Sequence, residues 1–194
     1  TNETSVDEVV WNDVALLQLN EDAPADFKLA RLPASKDAVE IKSGAKLTLA
    51  GFGITNSTIR KVLTKKNGKP LFDKEGQVQT KELEGVGSGK LRKVSGIAVV
   101  KVSEDKKEIL LDQRQSKGAC HGDSGGPAFL KLADGTEVQV GVTSRGTNAL
   151  GNCHEGAIYT GVSGHLDWIA KTTSELNTPP PATEEAPAQT VAQN

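Results

Sequence analysis

The sequence predicts an all-β fold with one helix near its C-terminal end. Short apolar runs and alternation of apolar with polar residues dominate the 194-residue chain, and long stretches with helical periodicity are scarce. Asp134-Gly135 lies between two such segments, 127–132 and 138–144, which is a strong signal for a β-hairpin. Aromatic residues are only 4% of the chain and Met is absent, so Val, Leu and Ile must supply most of the core.

The remaining elements are predicted from the same signals, taken in chain order. Residues 14–19 form an apolar run typical of a buried strand, and residues 45–50 alternate cleanly up to Gly51-Phe52-Gly53. Further predicted strands are 90–94, 97–102, 108–111 and 157–160. The helix is predicted to begin at Ser163 as its N-cap and to end near Leu176.

Two segments lack strand and helix signals. Residues 64–89 are rich in Lys, Gly and Gln, which predicts a long, mobile loop. Residues 177–194 contain three consecutive prolines and no aromatic residue, which predicts a disordered, Pro-rich tail.

The charge balance excludes some classes of partner. The formal net charge is −2 with 25% charged residues, so neither nucleic acid nor a membrane is expected as a partner. The charge is nevertheless uneven: residues 1–26 hold seven acidic and no basic side chains, and residues 60–93 hold ten basic and four acidic ones. Two interpretations stay open, namely two solvated surfaces of opposite sign, or a basic loop that recruits an acidic substrate or surface.

The most informative segment is Gly-Ala-Cys-His-Gly-Asp-Ser-Gly-Gly-Pro at positions 118–127. A serine hydroxyl becomes a good nucleophile only when a base removes its proton and N–H donors stabilise the oxyanion that forms. The glycines allow a sharp turn that could point the N–H groups of Gly122 and Ser124 at one place. Taken alone, part of this string is compatible with a glycine-rich surface turn. The complete string resembles the active-site signature of the trypsin/chymotrypsin family of serine endopeptidases.

The resemblance implies a role for each residue of the motif. Ser124 would be the nucleophile, and Gly122 and Ser124 would donate the oxyanion-hole N–H groups. Asp123 would pair with the new N-terminus formed by zymogen activation. The segment Asn12–Leu19 resembles the one that carries the catalytic aspartate, which would make Asp13 the residue that orients the catalytic histidine.

The resemblance also implies a primary pocket for the P1 side chain, the one that precedes the scissile bond. Its lining would be Gly118, Ala119, Ser144 and Gly146. Cys120 and Cys153 fall where the family bridges two pocket walls, so a disulfide and therefore an oxidising compartment are expected.

The expected P1 preference depends on what occupies the base of this pocket. Trypsin-like members select Lys or Arg with an aspartate at the position of Gly118, so an uncharged, apolar P1 side chain is expected here. Two alternatives remain: Glu155 could turn its carboxylate inward, and Arg145, which replaces the usual aromatic residue, could alter the next subsite or favour an acidic side chain.

The implied fold is a chymotrypsin-like double β-barrel. The predicted divisions are the end of the N-terminal barrel and linker (1–36), a complete C-terminal barrel with its closing helix (37–176), and the tail (177–194). No histidine precedes Asp13, and none of the three present, at 121, 154 and 165, matches the catalytic position. The catalytic histidine is therefore expected in an N-terminal segment or a separate chain.

The functional expectation is a secreted or periplasmic serine endopeptidase. It would act on a protein or peptide substrate through an acyl-enzyme, with no metal or organic cofactor, and this chain by itself would be inactive. The alternative is a non-catalytic homologue that binds or regulates a partner, although the intact serine motif speaks against it.

Overall fold

Six strands close into an antiparallel β-barrel in the computed structural model, which describes residues 12–36 and 38–177. In chain order the strands are β1 (Lys46–Gly51), β2 (Arg60–Val62), β3 (Thr80–Glu82), β4 (Arg92–Val102), β5 (Glu108–Asp112), β6 (Pro127–Lys131), β7 (Glu137–Gly146) and β8 (Gly156–Gly161). The order around the barrel is β1-β4-β5-β8-β7-β6, and β2 pairs with β3 in a separate ribbon. The prediction of an all-β fold with one C-terminal helix is confirmed.

The barrel core is aliphatic, as the composition requires. Leu47 and Leu49 of β1 point inward at alternate positions, and Ile109 and Leu111 do the same on β5. Tyr159 on β8 is the large aromatic side chain of this core and is 1% exposed. Burial on alternate positions of β1 explains the alternation in its sequence, whereas β8 is buried at all six positions.

Two segments that look like separate strands in the sequence form the single strand β4. Gly96 lies between them with φ at +85°, and the pairing with β1 shifts by one residue at this point. A glycine with positive φ at a register shift is typical of a β-bulge, so the strand bends there and continues.

The Asp134-Gly135 hairpin forms as predicted. Gly135 has φ at +86°, and the Leu132 N–H donates to the Thr136 carbonyl at 2.8 Å. This turn joins β6 to β7, and β7 carries Ser144 and Gly146 of the site described below.

The prediction of a long loop at residues 64–89 is wrong in part, because much of the segment belongs to a long hairpin. The ribbon of β2 and β3 continues outward through the bridges Thr64–Pro70 and Phe72–Val78. The hairpin is attached to the barrel at its base, where the Cys153 N–H donates to the Ser57 carbonyl at 2.7 Å. Backbone pairing and turns at glycines form this hairpin, and the polar composition of the segment does not distinguish such a hairpin from a loop.

The predicted strand at residues 14–19 is not found. The segment has no strand pairing within the part of the chain that the structure describes, and Leu17 and Leu19 are 88% and 69% exposed. A strand needs a paired neighbour, and the described residues provide none at this point.

The C-terminal helix begins differently from the prediction. Residues Val162–His165 form a 3₁₀ turn, and α1 then runs from Leu166 to Leu176. The Ser163 hydroxyl is buried without a hydrogen-bond partner among the described residues, so the prediction of Ser163 as N-cap is wrong. The predicted tail lies outside the described residues beyond Asn177. No helix that the structure describes has the length and apolar character needed to cross a membrane.

Candidate active site

The turn that carries Ser124 is held against β7 by backbone hydrogen bonds. The Gly125 N–H donates to the Thr143 carbonyl at 2.9 Å, and the Thr143 N–H donates to the Gly126 carbonyl at 2.8 Å. Ser124 is exposed, and Gly122 before it adopts φ of +91°. The N–H groups of Gly122 and Ser124 have no protein acceptor among the described residues. They therefore remain available as donors beside an exposed hydroxyl.

Asp13 is held next to this turn by two strands of the barrel. Its Oδ2 accepts from the Ser144 hydroxyl at 2.7 Å, and its carbonyl accepts from the Thr160 hydroxyl at 2.8 Å. Ser144 follows Thr143, the residue that pairs with the Ser124 turn. The fold thus brings Asp13 and the Ser124 turn to the same end of β7, although Asp13 and Ser124 are 111 positions apart in the sequence.

Asp123 is half-buried and is fixed by two backbone donors. One carboxylate oxygen accepts from the Gly53 N–H and the other from the Cys120 N–H, each at 2.8 Å. A Cβ at Gly51 or Gly53 would lie 2.0 Å or 2.6 Å from the Asp123 side chain. Glycine at both positions is therefore required for the aspartate to dock against the end of β1.

A cavity of about 220 Å³ lies beside Asp123. Its lining comes from the end of β1, the start of β4 and the segment before the serine, and includes Gly53, Val94, Lys117 and Tyr159. Burial raises the pKa of Tyr159 to about 12, and the negative charge of Asp123 acts in the same direction. The cavity thus combines one carboxylate with apolar side chains and with three basic residues, Arg92, Lys93 and Lys117.

Cys120 and Cys153 form a disulfide, as expected from the resemblance. The S–S distance is 2.00 Å and the bond closes a loop with a sequence separation of 33. A loop of this size is stabilised by roughly 3–4 kcal/mol through the entropy of the unfolded chain. The bond holds the segment before Ser124 against the segment before β8. A ring nitrogen of His121 lies within 4.8 Å of both sulfurs, which is close enough for the three residues to bind one metal ion. The disulfide, however, leaves neither sulfur as the thiolate that metal binding requires.

The four residues expected to line the primary pocket lie in two places: Gly118 and Ala119 line the cavity beside Asp123, and Ser144 and Gly146 belong to β7. Ala119 is 8% exposed and adjoins the disulfide, and Gly118 before it adopts φ of +149°. Ser144 and Gly146 lie at the end of β7, where Gly146 is exposed and a Cβ on it would meet only the Gly156 carbonyl, at 3.8 Å. Their roles toward a substrate stay predictions.

Sequence reasoning missed Gln113, which is 1% exposed and lies between the segments that carry Ala119 and Cys153. Its carboxamide bonds to the backbone of Ala119 and of Cys153. A glutamine after an apolar strand has no sequence signal that distinguishes it from a surface residue. Only the closure of the barrel shows that the side chain turns inward.

The two charged residues considered for the pocket are both engaged elsewhere. Arg145 donates to the Glu108 carboxylate at 2.6 Å, and the Glu108 side chain is 4% exposed. Glu155 is exposed and accepts from the Asn148 amide at 2.5 Å. Arg145 also donates to the Ser144 hydroxyl at 3.3 Å, so it belongs to the network that reaches Asp13.

None of the three histidines forms a hydrogen bond to Asp13 or Ser124 in the part of the chain that is described. His121 Nε2 lies 2.7 Å from the Gly151 carbonyl oxygen. His165 lies between the Gly161 carbonyl and the Asn12 side chain, at 2.8 Å and 3.1 Å. His154 Nδ1 is buried without a partner among the described residues.

Comparison of the sequence with known protein families identifies the family of this chain. A sequence model of the family described as Trypsin matches residues 2–169. The chain belongs to the trypsin family. This family of serine proteases accounts for the closed six-stranded barrel and the C-terminal helix, and it confirms the resemblance carried by the serine motif.

Several curated members of the trypsin family resemble the chain over most of its length. It is 32% identical to "Serine protease Hayan" of Drosophila melanogaster over 82% of this chain and 24% of that protein. It is 28% identical to "Chymotrypsin" of Phaedon cochleariae, over 81% of this chain and 49% of that protein. "Phenoloxidase-activating factor 1" of Holotrichia diomphalia is 25% identical, with 82% and 39% covered. The chain thus spans from a quarter to a half of the length of these relatives.

Proposed function

We propose that this trypsin-family chain carries the nucleophile and the aspartate of a serine endopeptidase that hydrolyses peptide bonds through an acyl-enzyme. The observation that supports the proposal best is the hydrogen bond from Ser144 to Asp13, because it fixes an exposed carboxylate beside the Ser124 turn. The unpaired N–H groups of Gly122 and Ser124 in the described structure agree with an oxyanion hole.

In the proposed reaction each residue has the role that the family mechanism requires. A histidine base takes the proton of Ser124 while the serine oxygen attacks the scissile carbonyl. The negative charge that develops on the carbonyl oxygen is stabilised by the N–H groups of Gly122 and Ser124. Asp13 holds the histidine in the correct tautomer and stabilises its cationic form. The histidine then protonates the leaving amine, and water hydrolyses the acyl-enzyme.

The histidine is proposed to come from a segment outside this sequence, in the same polypeptide or a separate chain. All three histidines present lie away from hydrogen-bond contact with Asp13 and Ser124. The segment that carries Asp13 exposes four large apolar side chains by 68–88%: Leu17, Leu19, Phe27 and Leu29. An exposed apolar stretch of this kind is typical of a surface that another domain covers.

Asp123 and its cavity are proposed to form the activation pocket. An α-ammonium group from a newly cleaved N-terminus would be drawn to the carboxylate, and an aliphatic first side chain would fit a cavity of about 220 Å³. Cleavage would then fix the conformation of the neighbouring oxyanion-hole segment, since Asp123 lies between Gly122 and Ser124.

The substrate is proposed to be a protein with an uncharged, apolar P1 side chain. The compartment is proposed to be secretory or periplasmic because of the disulfide.

Labelling of the complete protein with a fluorophosphonate probe tests the proposal. Stoichiometric modification of Ser124, abolished in Ser124→Ala and accelerated at least a hundredfold by activating cleavage, is the expected result. Mass spectrometry of the peptide that contains Ser124 identifies the modified atom. A complete, cleaved protein that does not react would contradict the proposal.

The second candidate is a non-catalytic homologue that binds or regulates a partner. It is favoured by one observation, the engagement of His121 and His165 in contacts that do not include Asp13 or Ser124. The same labelling experiment separates the two candidates, because a binding module would leave Ser124 unmodified whatever its state of cleavage.

A further inference from the structure

Gln113 follows β5 and lies between the two segments that the disulfide joins. Its main-chain N–H donates to the Glu155 carbonyl at 3.0 Å, and its Nε2 donates to the carbonyls of Ala119 and Cys153 at 3.0 Å and 3.1 Å. Its Oε1 accepts from the Ala119 N–H at 2.5 Å. Both amide hydrogens and the amide oxygen are therefore used within the protein.

The carboxamide occupies the space that a side chain at position 118 would fill. A Cβ built on Gly118 would lie 1.9 Å from Oε1 and 2.3 Å from Cδ of Gln113. Gly118 also has φ of +149°, which side chains rarely adopt. An acidic side chain at the base of the pocket is thus excluded twice, by the volume of Gln113 and by the backbone conformation.

We propose that Gln113 forms the floor of the primary pocket and determines its specificity. This inference rests on the proposed protease function and names its substrate class. The substrates are peptides whose P1 side chain is uncharged and too short to reach the space that the Gln113 carboxamide fills. The floor is neutral and offers no carboxylate to an ammonium or guanidinium group, and its amide oxygen already accepts from the Ala119 N–H. A cationic P1 side chain would lose its hydration without gaining a partner, which is costly.

The identity of the residue matters because the two amide atoms face opposite kinds of backbone groups. A glutamate at position 113 could still accept from the Ala119 N–H with one oxygen. Its second oxygen would face the carbonyls of Ala119 and Cys153, where Nε2 now donates. Such a buried carboxylate is destabilised unless a cation enters the pocket to pair with it.

The first test measures binding of p-aminobenzamidine, a cationic aromatic amidine, by its fluorescence in the complete protein. The wild-type protein is expected to bind the probe weakly, and Gln113→Glu to bind at least tenfold more tightly. Gln115→Glu is the matched control, because it adds the same charge on an exposed residue of the same loop and is expected to leave the affinity unchanged. Equal affinities of the two glutamate variants would overturn the inference.

A second variant keeps the test decisive should Gln113→Glu not fold. Gln113→Ala removes the carboxamide without adding charge. The space that it leaves is expected to lower the dissociation constant of p-aminobenzamidine by a few fold. Binding no tighter than that of the wild type would count against Gln113 as the floor. Because this titration requires no turnover, it decides the inference even if Ser124 proves unreactive and the proposed function fails.

Turnover adds a measurement that a merely structural role would not move. In a library of peptides that differ only at P1, Gln113→Ala is expected to raise kcat/KM for Phe relative to Ala at least tenfold, mainly through KM. If Gln113 only supports the fold, the variant lowers kcat/KM equally for all P1 residues and the ratio stays constant. A constant ratio in a protein that still labels at Ser124 would overturn this inference and leave the proposed function standing.

Discussion

Asp123 accepts one backbone N–H on each of its two carboxylate oxygens, and these bonds join the serine turn to the end of β1. The donors belong to Gly53 and Cys120, so Asp123 connects the serine turn to a residue 70 positions earlier in the sequence, Gly53. A carboxylate is the one side chain of this size that offers two acceptors and no donor. The charge and the shape of Asp123 are therefore both needed for the turn.

Asp123→Asn is expected to lower the free energy of unfolding by about 2 kcal/mol, because one amide N–H₂ group would face a backbone N–H donor. Asp134→Asn is the matched control, since Asp134 is exposed and accepts from the Thr136 N–H in a surface turn. Urea unfolding of both variants measures the difference. Equal small losses would show that the Asp123 bonds contribute little to the folded state.

At the scale of the elements, an ion pair links β5 to β7 across β8. Glu108 pairs with Arg145 at 2.6 Å, and the two side chains are 4% and 28% exposed. The second oxygen of Glu108 is buried without a partner among the described residues. Removing the cation alone leaves a buried carboxylate uncompensated, which is far more costly than removing both charges.

Arg145→Met is therefore expected to destabilise the fold by about 3 kcal/mol, and Arg145→Met with Glu108→Gln by clearly less than the sum of the single changes. A double-mutant cycle from chemical unfolding measures this coupling. Lys171→Met serves as control, since Lys171 and Glu175 form an exposed pair at 3.8 Å that is worth at most about 0.5 kcal/mol. Additive effects at Glu108 and Arg145 would contradict the prediction.

The long hairpin is attached to the barrel through Asn152, which is 5% exposed. Its Oδ1 accepts from the N–H groups of Ile59 and Arg60, both at 2.8 Å, and its Nδ2 donates to the Arg60 carbonyl at 2.9 Å. The base of this basic hairpin is thus clamped beside Cys153 and the expected pocket. Recruitment of an acidic partner by this hairpin stays one of the two interpretations of its charge, the other being a solvated basic surface.

Asn152→Ala is expected to lower stability by about 2 kcal/mol and to speed amide hydrogen exchange along the hairpin, because three backbone groups lose their partner. Asn67→Ala, at an exposed hairpin turn with one bond to Lys69, is expected to change stability by less than about 0.5 kcal/mol. Unchanged exchange in Asn152→Ala would show that the hairpin is held by other contacts.

At the scale of the whole molecule, the buried Tyr159 couples stability to alkaline pH. Burial raises its pKa from 10.0 to about 12 in the folded protein. Below pH 10 the stabilisation is complete, because both states are protonated. Between about pH 10 and 12 the unfolded chain ionises while the folded protein does not, so stability falls by about 1.4 kcal/mol per pH unit at most.

The expected result is that Tyr159→Phe has a flatter pH profile of unfolding free energy than the wild type over pH 9–12. The other ionisable groups are the same in both proteins, so the difference between the two curves isolates Tyr159. Parallel curves would mean that the tyrosine is not protected from ionisation. Urea unfolding at fixed ionic strength is the appropriate measurement.

The sequence by itself determined the fold class and the position of the serine motif. Alternation and the Asp134-Gly135 turn are local signals, and a closed barrel buries the alternate residues that they predict. The pairing of Cys120 with Cys153 was also predicted, from the resemblance to a family that bridges two pocket walls at these positions. The prediction of a strand at residues 14–19 was wrong, because a strand forms only beside a second strand with which it can pair, and a local sequence pattern does not show whether one is present.

Only the tertiary structure decided how the candidate site is closed and held. Gln113, Glu108 and Asn152 are polar residues with no local signal, and each is buried by segments distant in sequence. A buried polar group must find partners, so its position depends on which backbone groups the barrel brings together. The motif therefore locates the expected chemistry at Ser124, whereas the contacts of Gln113 with Ala119 and Cys153, on which the proposed pocket floor rests, exist only in the tertiary structure.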